Sequence, residues 1–469
     1  YSLFDPEQRE QPSVRDMRAV FAAGFSHREN DELAQLLRHP DQRLRLRAQF
    51  ELASRGERAV GVFRTLLAQR DERLTRLHAL WGLGQVVRDG HRTVLESLDL
   101  AAWLSDSDDE FRAQAARWMG ECQVATPATR LIELLRDNAP RVRFFAAQSL
   151  GRMQVQEAVA PLWELVRLNN DADRYVRHAC IVALERLGKA AGAADKSRSP
   201  DAAVRRAAVV VLRRQNDAAV AAYLNDADIT IATEAARAVH DLRFSGAPLE
   251  ALAQHIERLR AAPEGWPEAF TRRVVNANFR LGRAEHLQAI ARLAGEANVP
   301  EPLRRDAVDA LLQALAPPRR DRVTWESYPV PVFVREELRN AVQAHVADLL
   351  AAAPDSLQAD VAKLIGQLQL EVNDATLVAW VQDLSRSASA RFAALQLLGQ
   401  RKHADFSKLL ETSLSDRSAA LRAATRDLLA RSDAERATKL YAATLESQAA
   451  EQLERQRALS GLAALKTAD

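Results

Sequence analysis

The stretch "VRFFAAQSLG" at 142–151 recurs with small changes along a chain of 469 residues, and no other feature narrows the possible folds so far. Close copies are "TRLHALWGLG" at 75–84, "FRAQAARWMG" at 111–120 and "ARFAALQLLG" at 390–399. Looser copies begin at 44, 176, 204 and 421. The head arginines Arg45, Arg76, Arg112, Arg143, Arg177 and Arg205 are separated by 31, 36, 31, 34 and 28 residues, and Arg391 to Arg422 is again 31. Recurrence at such a period is the mark of stacked structural repeats.

The residues say what one repeat is. Val142, Phe145, Ala146 and Leu150 form an apolar stripe on one helix face. Gly151 then stands where a helix end is expected. A turn rich in Asp and Asn precedes each stripe, as in "RDNAP" at 136–140, where Pro140 suits a first helical turn. Upstream of each turn lies another apolar helix, such as "PATRLIELLR" at 127–136. Each unit is thus a helical hairpin with an exposed apolar face, which only stacking can bury. Gly and Pro, at 17 each, are too few for a many-stranded β protein of this length. The expected fold is all-α, an α-solenoid with an armadillo-like superhelix.

Thirty-odd residues per unit, a turn aspartate and an arginine opening the second helix resemble HEAT repeats. The signatures of ankyrin and tetratricopeptide repeats are absent. The resemblance covers about residues 20–240 closely and 355–465 more loosely. It implies a lead-in helix and loop at 1–30, a HEAT-like array at 31–316 and a second, more degenerate subarray at 334–469. Between the arrays, "PPRRDRVTWESYPVPVF" at 317–333 holds prolines that forbid a continuous helix. "AGAADKSRSPD" at 191–201 reads as a shorter connector.

Net charge is +2, from 65 basic and 63 acidic side chains, which disfavours a protein built to grip phosphate backbone. Arg205, Arg206, Arg213 and Arg214 form a local basic cluster set among acidic residues. No apolar run reaches the roughly 20 residues that cross a bilayer. Cys122 and Cys180 make neither a metal framework nor a CxxC pair. The chain opens on Tyr1 rather than Met, which reads as a processed chain or an excised segment.

No motif for nucleophilic catalysis, phosphate binding or zinc binding occurs, so no catalytic, cofactor-binding or metal-ligating residue is assigned. His78, His178 and His240 sit in separate repeats and read as structural. Arg143 follows Asp137 by six residues, as Arg112 follows Asp106 and Arg422 follows Asp416. These pairs predict an Asp–Arg ladder that fixes repeat stacking. The candidate interface residues are the irregular ones. Asn276, Asn278 and Arg280 stand where a repeat would carry alanines. Glu234, Arg237 and Asp241 recur at helical spacing. Trp325 and Tyr328 lie in the proline-rich loop, where exposed aromatics favour partner contact.

Taken in order, "LRHPDQRLRLRAQFELASRG", "LTRLHALWGLGQ", "PRVRFFAAQSLGRM", "DRYVRHACIVAL", "TEAARAVHDL", "RRVVNANFRLG" and "PPRRDRV" resemble the helical segment of large bacterial multidomain proteins. In that family a β-propeller, similar to quinone-dependent sugar dehydrogenases, precedes the HEAT segment, and a c-type cytochrome domain often follows. The resemblance spans about residues 1–330. It implies an exported, periplasmic protein whose solenoid holds catalytic and electron-transfer modules, and it carries no catalytic residue onto this chain. After "PPRRDRV" the sequence departs from the family, which usually continues with glycine and a further arginine-proline.

The function these observations support is a non-catalytic scaffold, without cofactor, that contacts other domains of the same polypeptide or protein partners. A cytoplasmic scaffold satisfies the same residues. The alternative is an enzyme on a HEAT-like solenoid, an alkylated-base DNA glycosylase or a bilin lyase. Trp81, Trp103, Trp118 and Trp163 are scattered where a glycosylase needs aromatics around a central carboxylate. A third expectation is a small-molecule pocket at the 317–333 break.

Overall fold

The structure, a computed structural model, describes residues 11–124, 128–329 and 331–466. The first ten residues of the lead-in segment, Pro127 and Val330 lie outside the described residues. The described chain is an all-α solenoid of helical hairpins, and its one β-type contact is an isolated antiparallel bridge between Arg320 and Ser327. It divides into two compact units, one ending at Tyr223 and one beginning at Leu224. The proline-rich loop lies inside the second.

In the first unit the second helices of successive hairpins are Gln42–Ser54, Arg73–Arg88, Asp109–Glu121, Pro140–Arg152, Arg174–Arg186 and Ala202–Gln215. Their starts follow the sequence. Asp41, Asp108 and Asp173 accept hydrogen bonds from the backbone N–H of the second or third residue of their helices, and Pro140 opens its own. The segment 191–201 is not merely a connector. The 3-10 helix Ala193–Arg198 takes the first-helix position and packs on Ala202–Gln215. It is fixed by backbone carbonyls: Trp163 Nε1 donates to Ala191 O at 2.7 Å and Tyr223 OH to Ala193 O at 2.8 Å. In the second unit Ile229–Asp241, Glu268–Leu281, Glu301–Leu315, Asp355–Leu368, Ala388–Gln400 and Ala419–Leu429 play the second-helix part.

Gly151 does not end its helix. Pro140–Arg152 runs through it, and the left-handed residue that turns the chain is Gln154, at φ 54°. The same offset recurs from Gly120 to Gln123 and from Gly399 to Lys402. The glycine is required by packing instead. A Cβ on Gly151 would lie 2.5 Å from Ala183 Cα in the next repeat, and one on Gly120 would lie 2.7 Å from Ser149 Cα. Ser149 is buried against the preceding repeat, where its Oγ donates to Ala116 O at 2.7 Å, and Gly151 against the following one, so the helix is covered on two sides. Gly61, inside Val60–Leu67, is the opposite case, since nothing lies within 4 Å of where its Cβ would be. Gly61→Ala should therefore stabilise the protein by about 0.5–1 kcal/mol, read as a higher urea midpoint at unchanged slope.

The Asp–Arg ladder has a different wiring from the one the six-residue spacing suggests. Arg143 Nη1 donates to the backbone carbonyls of Asp137, at 2.7 Å, and Asn138, not to the Asp137 carboxylate. That carboxylate receives Arg112 of the preceding repeat, at 2.9 and 3.0 Å. Likewise Asp106 gives its carbonyl to Arg112 and its carboxylate to Arg76, while Asp416 gives them to Arg422 and Arg391. Oδ1 of each also accepts the N–H two residues on. Each turn aspartate is thus held by two consecutive repeats. The Arg76–Asp106 and Arg391–Asp416 pairs are buried, with side-chain exposures of 4–5%. Burial alone would raise the Asp106 carboxyl, but the Arg76 bond and the Asp108 N–H outweigh it and hold the group below its ordinary value.

Candidate functional site

The densest polar cluster lies where the end of Ile229–Asp241, the second half of Glu268–Leu281 and the proline-rich loop meet. Asn276 and Arg280, one helical turn apart, both reach Asp321. Oδ2 of Asp321 accepts from Asn276 Nδ2 at 2.8 Å and from Arg280 Nε and Nη2 at 2.9 and 2.8 Å. Its Oδ1 accepts from the backbone N–H of Val323 and Thr324 at 2.8 and 2.9 Å. Arg280 and Asp321 are each 2% exposed at the side chain. Burial raises the Asp321 carboxyl, yet the Thr324 N–H and the Arg280 charge prevail and hold it far below the usual range. Arg280 also donates to His240 O at 2.6 Å, and its guanidinium lies 4.5 Å from the centre of the Tyr328 ring.

His240 closes the cluster from the neighbouring helix. Asn276 donates to its Nε2 at 2.8 Å, which leaves Nδ1 to donate to Asp241 at 2.7 Å. Burial keeps the imidazole neutral by lowering its pKa, against the pull of Asp241. Asp241 in turn accepts both arms of Arg273 at 2.9 and 2.7 Å. Burial opposes ionisation there, but the His240 and Arg273 bonds bring its pKa down to about 2. A second anchor holds the same loop, since Arg322 Nη2 donates to Asp306 Oδ1 and Asp309 Oδ2 at 2.9 and 3.0 Å.

The Arg280–Asp321 and Arg322–Asp306 pairs fix the 317–333 loop, and the loop turns an apolar edge outwards. Pro331 and Phe333 face inwards, Phe333 with its ring centre 4.9 Å from that of Phe279. Val332 and Val334, on the alternate side, are 91% and 50% exposed. Trp325 is 70% exposed and sits at φ 61°, with its N–H on Asp321 O at 3.0 Å. A tryptophan in the left-handed region costs about 1–2 kcal/mol and here gains no burial in return.

The proposed interface residues therefore separate. Asn276, Arg280, Asp241 and the half-buried Tyr328 belong to the buried anchor, and Trp325 to the exposed edge. Asn278 points elsewhere, to Ala253 O and Val274 O at 2.9 Å. Glu234 and Arg237 pair with each other on the surface at 3.5 Å. Asp321, the hub, and Arg273 and Arg322 were not singled out from sequence. The available signal was an aspartate between arginines in "RRDR", inside a segment too proline-rich to be a helix. A groove of about 640 Å³ is lined by Trp266, Arg272, Leu303, Asp306, Asp309 and Asp360 among others, but by no residue of 317–333.

Elsewhere the residues suited to other chemistry are occupied. Arg205 caps Ser199 O and Pro200 O, Arg206 pairs with Asp171, and Arg214 pairs with Glu185. Trp118 is buried against Trp103, Trp81 donates to Gln114, and Trp163 is 6% exposed, so these four indoles pack repeats. Burial pushes the Cys122 and Cys180 thiols up to about 11 and about 12, away from reactivity. Among the described residues no three His, Cys, Asp or Glu side chains gather as a metal would need, and no helix is long and apolar enough to cross a membrane.

His178 is exposed, whereas His78 is buried between Arg45 Nε, at 3.1 Å, and Gln49 Oε1, at 2.8 Å. Burial and the Arg45 charge lower its pKa to about 4. The unfolded chain takes up that proton near pH 6.5, so the folded state binds fewer protons between about pH 6.5 and about 4. The His78 contribution to stability should fall as pH falls through this window and stop changing below it. In His78→Gln the slope should be smaller, measured as urea midpoints at a series of pH values. The strongly depressed carboxylates Asp241 and Glu454, each at about 2, add their own loss only at lower pH.

No curated protein matches the chain. Among known structures it is similar to a chain of a homology model of the full-length AP-3 complex in an intermediate open conformation, at 10% identity and a TM-score of 0.43, over 98% of this chain and 95% of that one. A structure of Kap95p with RanGDP aligns at 10% identity and a TM-score of 0.37, over 98% and 73%. The complex of CpcE and CpcF of phycocyanin lyase from Nostoc sp. aligns at 19% identity and 0.27, over 61% and 94%. Residues 97–185, from the turn before Leu100–Leu104 to the end of Arg174–Arg186, match the HEAT repeats family.

Proposed function

We propose that this chain is a non-catalytic HEAT-repeat scaffold that docks a protein, or another domain of its own polypeptide, on the outer edge of the 317–333 loop. One observation carries the reading. A buried ionic cluster holds the loop rigidly, while Trp325, Val332 and Val334 at its edge stay exposed. Binding sites are commonly loops fixed by a rigid frame, and a pre-ordered aromatic anchor binds without a further ordering cost. The ordered resemblance over residues 1–330 supports a periplasmic setting, with the solenoid lying between a propeller and a cytochrome domain. Recovering the reading frame on both sides of this segment tests that setting. A propeller before it and a CxxCH domain after it are expected, and flanks coding for neither would overturn it.

Docking itself is tested by placing a photocrosslinking phenylalanine derivative at position 325, in the protein made in its own host. Irradiation should attach polypeptide at 325 and not at Leu168, which is also exposed, at 59%, and lies in the other unit. Equal attachment at both positions, or none at 325, would count against the loop.

A further inference from the structure

We infer that the docking partner presents an apolar pocket for Trp325 rimmed by carboxylates, an inference that rests on the docking reading above. The charges beside the exposed edge carry it. Tyr328 N–H donates to Arg319 O, and Arg320 bridges to Ser327, so the backbone of both arginines lies beside the segment that leads from Trp325. Both are exposed, and among the described residues neither joins an ion pair. Their charged neighbours are ion-paired. Arg322 is held by Asp306 and Asp309, Arg280 by Asp321, and Arg243 by Glu326 at 2.8 Å. The rim of the edge therefore carries a surplus of two positive charges in a protein whose net charge is only +2.

A protein surface fits better than a nucleic acid strand, although Trp and Arg together could serve either. Glu326, 59% exposed, follows Trp325 directly and would face the phosphates of a strand stacked on the indole. The edge continues through Val332 and Val334, which offer bases nothing to stack on but fit an apolar protein surface. The partner's carboxylates would pair with Arg319 and Arg320 at the rim, where such pairs set approach and specificity more than final affinity.

The crosslink at position 325 decides the matter when its product is sequenced and the charges are reversed. The attached peptide should come from a surface rich in Asp and Glu. Arg319→Glu with Arg320→Glu should cut attachment about tenfold, and so should raising NaCl from about 50 to about 500 mM. Reversing the partner's acidic residues to lysine should restore attachment to the doubly reversed chain. Attachment that survives both charge reversal and salt would overturn the acidic rim and leave docking intact. No attachment at 325 would end both readings, and attachment to RNA or DNA would replace them with strand binding. Reversal is made at two exposed arginines that bury nothing, so an unchanged unfolding midpoint separates lost docking from lost folding.

Discussion

Asp321→Ala should lower the unfolding free energy by about 3–5 kcal/mol, because it leaves the Arg280 guanidinium buried with no counter-charge. The carboxylate also accepts from Asn276 and from two backbone N–H groups of the loop, which would become buried donors without acceptors. The midpoint of chemical denaturation should fall accordingly. Trypsin should cut after Arg319 or Arg320 much faster than in the parent, since the turn that presents them loses the carboxylate that ties it to Arg280 and Asn276. Asp321→Asn keeps an acceptor for part of the network and should cost less. Adding Arg280→Met to Asp321→Ala should recover most of the loss, because an apolar side chain of similar volume leaves no charge to pair. A loss below about 1 kcal/mol with unchanged proteolysis would mean that the loop is not held by this cluster.

Gly151→Val should cost about 3 kcal/mol, at the upper end for overpacking, because the atom it meets is backbone. A Cβ on Gly151 lies 2.5 Å from Ala183 Cα and 2.8 Å from Ala183 Cβ. No rotamer of residue 183 can make room, so Ala183→Gly should recover little. Relief requires the Pro140–Arg152 and Arg174–Arg186 helices to separate, which uncovers apolar surface on both. The measurement is the urea midpoint of single and double variants, with helical circular dichroism to show that the helices persist. Full recovery in the double variant would show that side chains, not backbones, set this crossing.

The hairpin architecture was legible because period and apolar stripe act locally, and the same forces that make a stripe bury it. "VRFFAAQSLG" announces its helix, its buried face and the turn before it. What it conceals is which of two meanings its glycine has. A helix-ending glycine and a close-crossing glycine look alike in one sequence, and only the approach of Ala183 separates them. The ladder was visible as a six-residue spacing, but spacing does not say whether a side chain or a carbonyl is the acceptor. At the site the legible part was the oddity of "NANFRLG" and of an exposed tryptophan among prolines. Asp321 was hidden because its partners lie 41 and 45 positions back, at Arg280 and Asn276. No periodicity links a loop residue to a helix at that distance.

The doubly held turn aspartates also say where this chain can change its length. The head arginines are 28–36 residues apart, yet the span from turn acceptor to arginine stays at six in Asp106–Arg112, Asp137–Arg143 and Asp416–Arg422. His39–Arg45 and Ser199–Arg205 keep the same span, although no aspartate stands there. One residue more within such a turn would rotate the carboxylate away from the preceding repeat while shifting the arginine off its carbonyls. Two neighbours would come undone by a single insertion. Additions are therefore confined to the returns between hairpins, and the longest of these carries Trp325. In this chain the rigidity of one kind of turn directs novelty to the other.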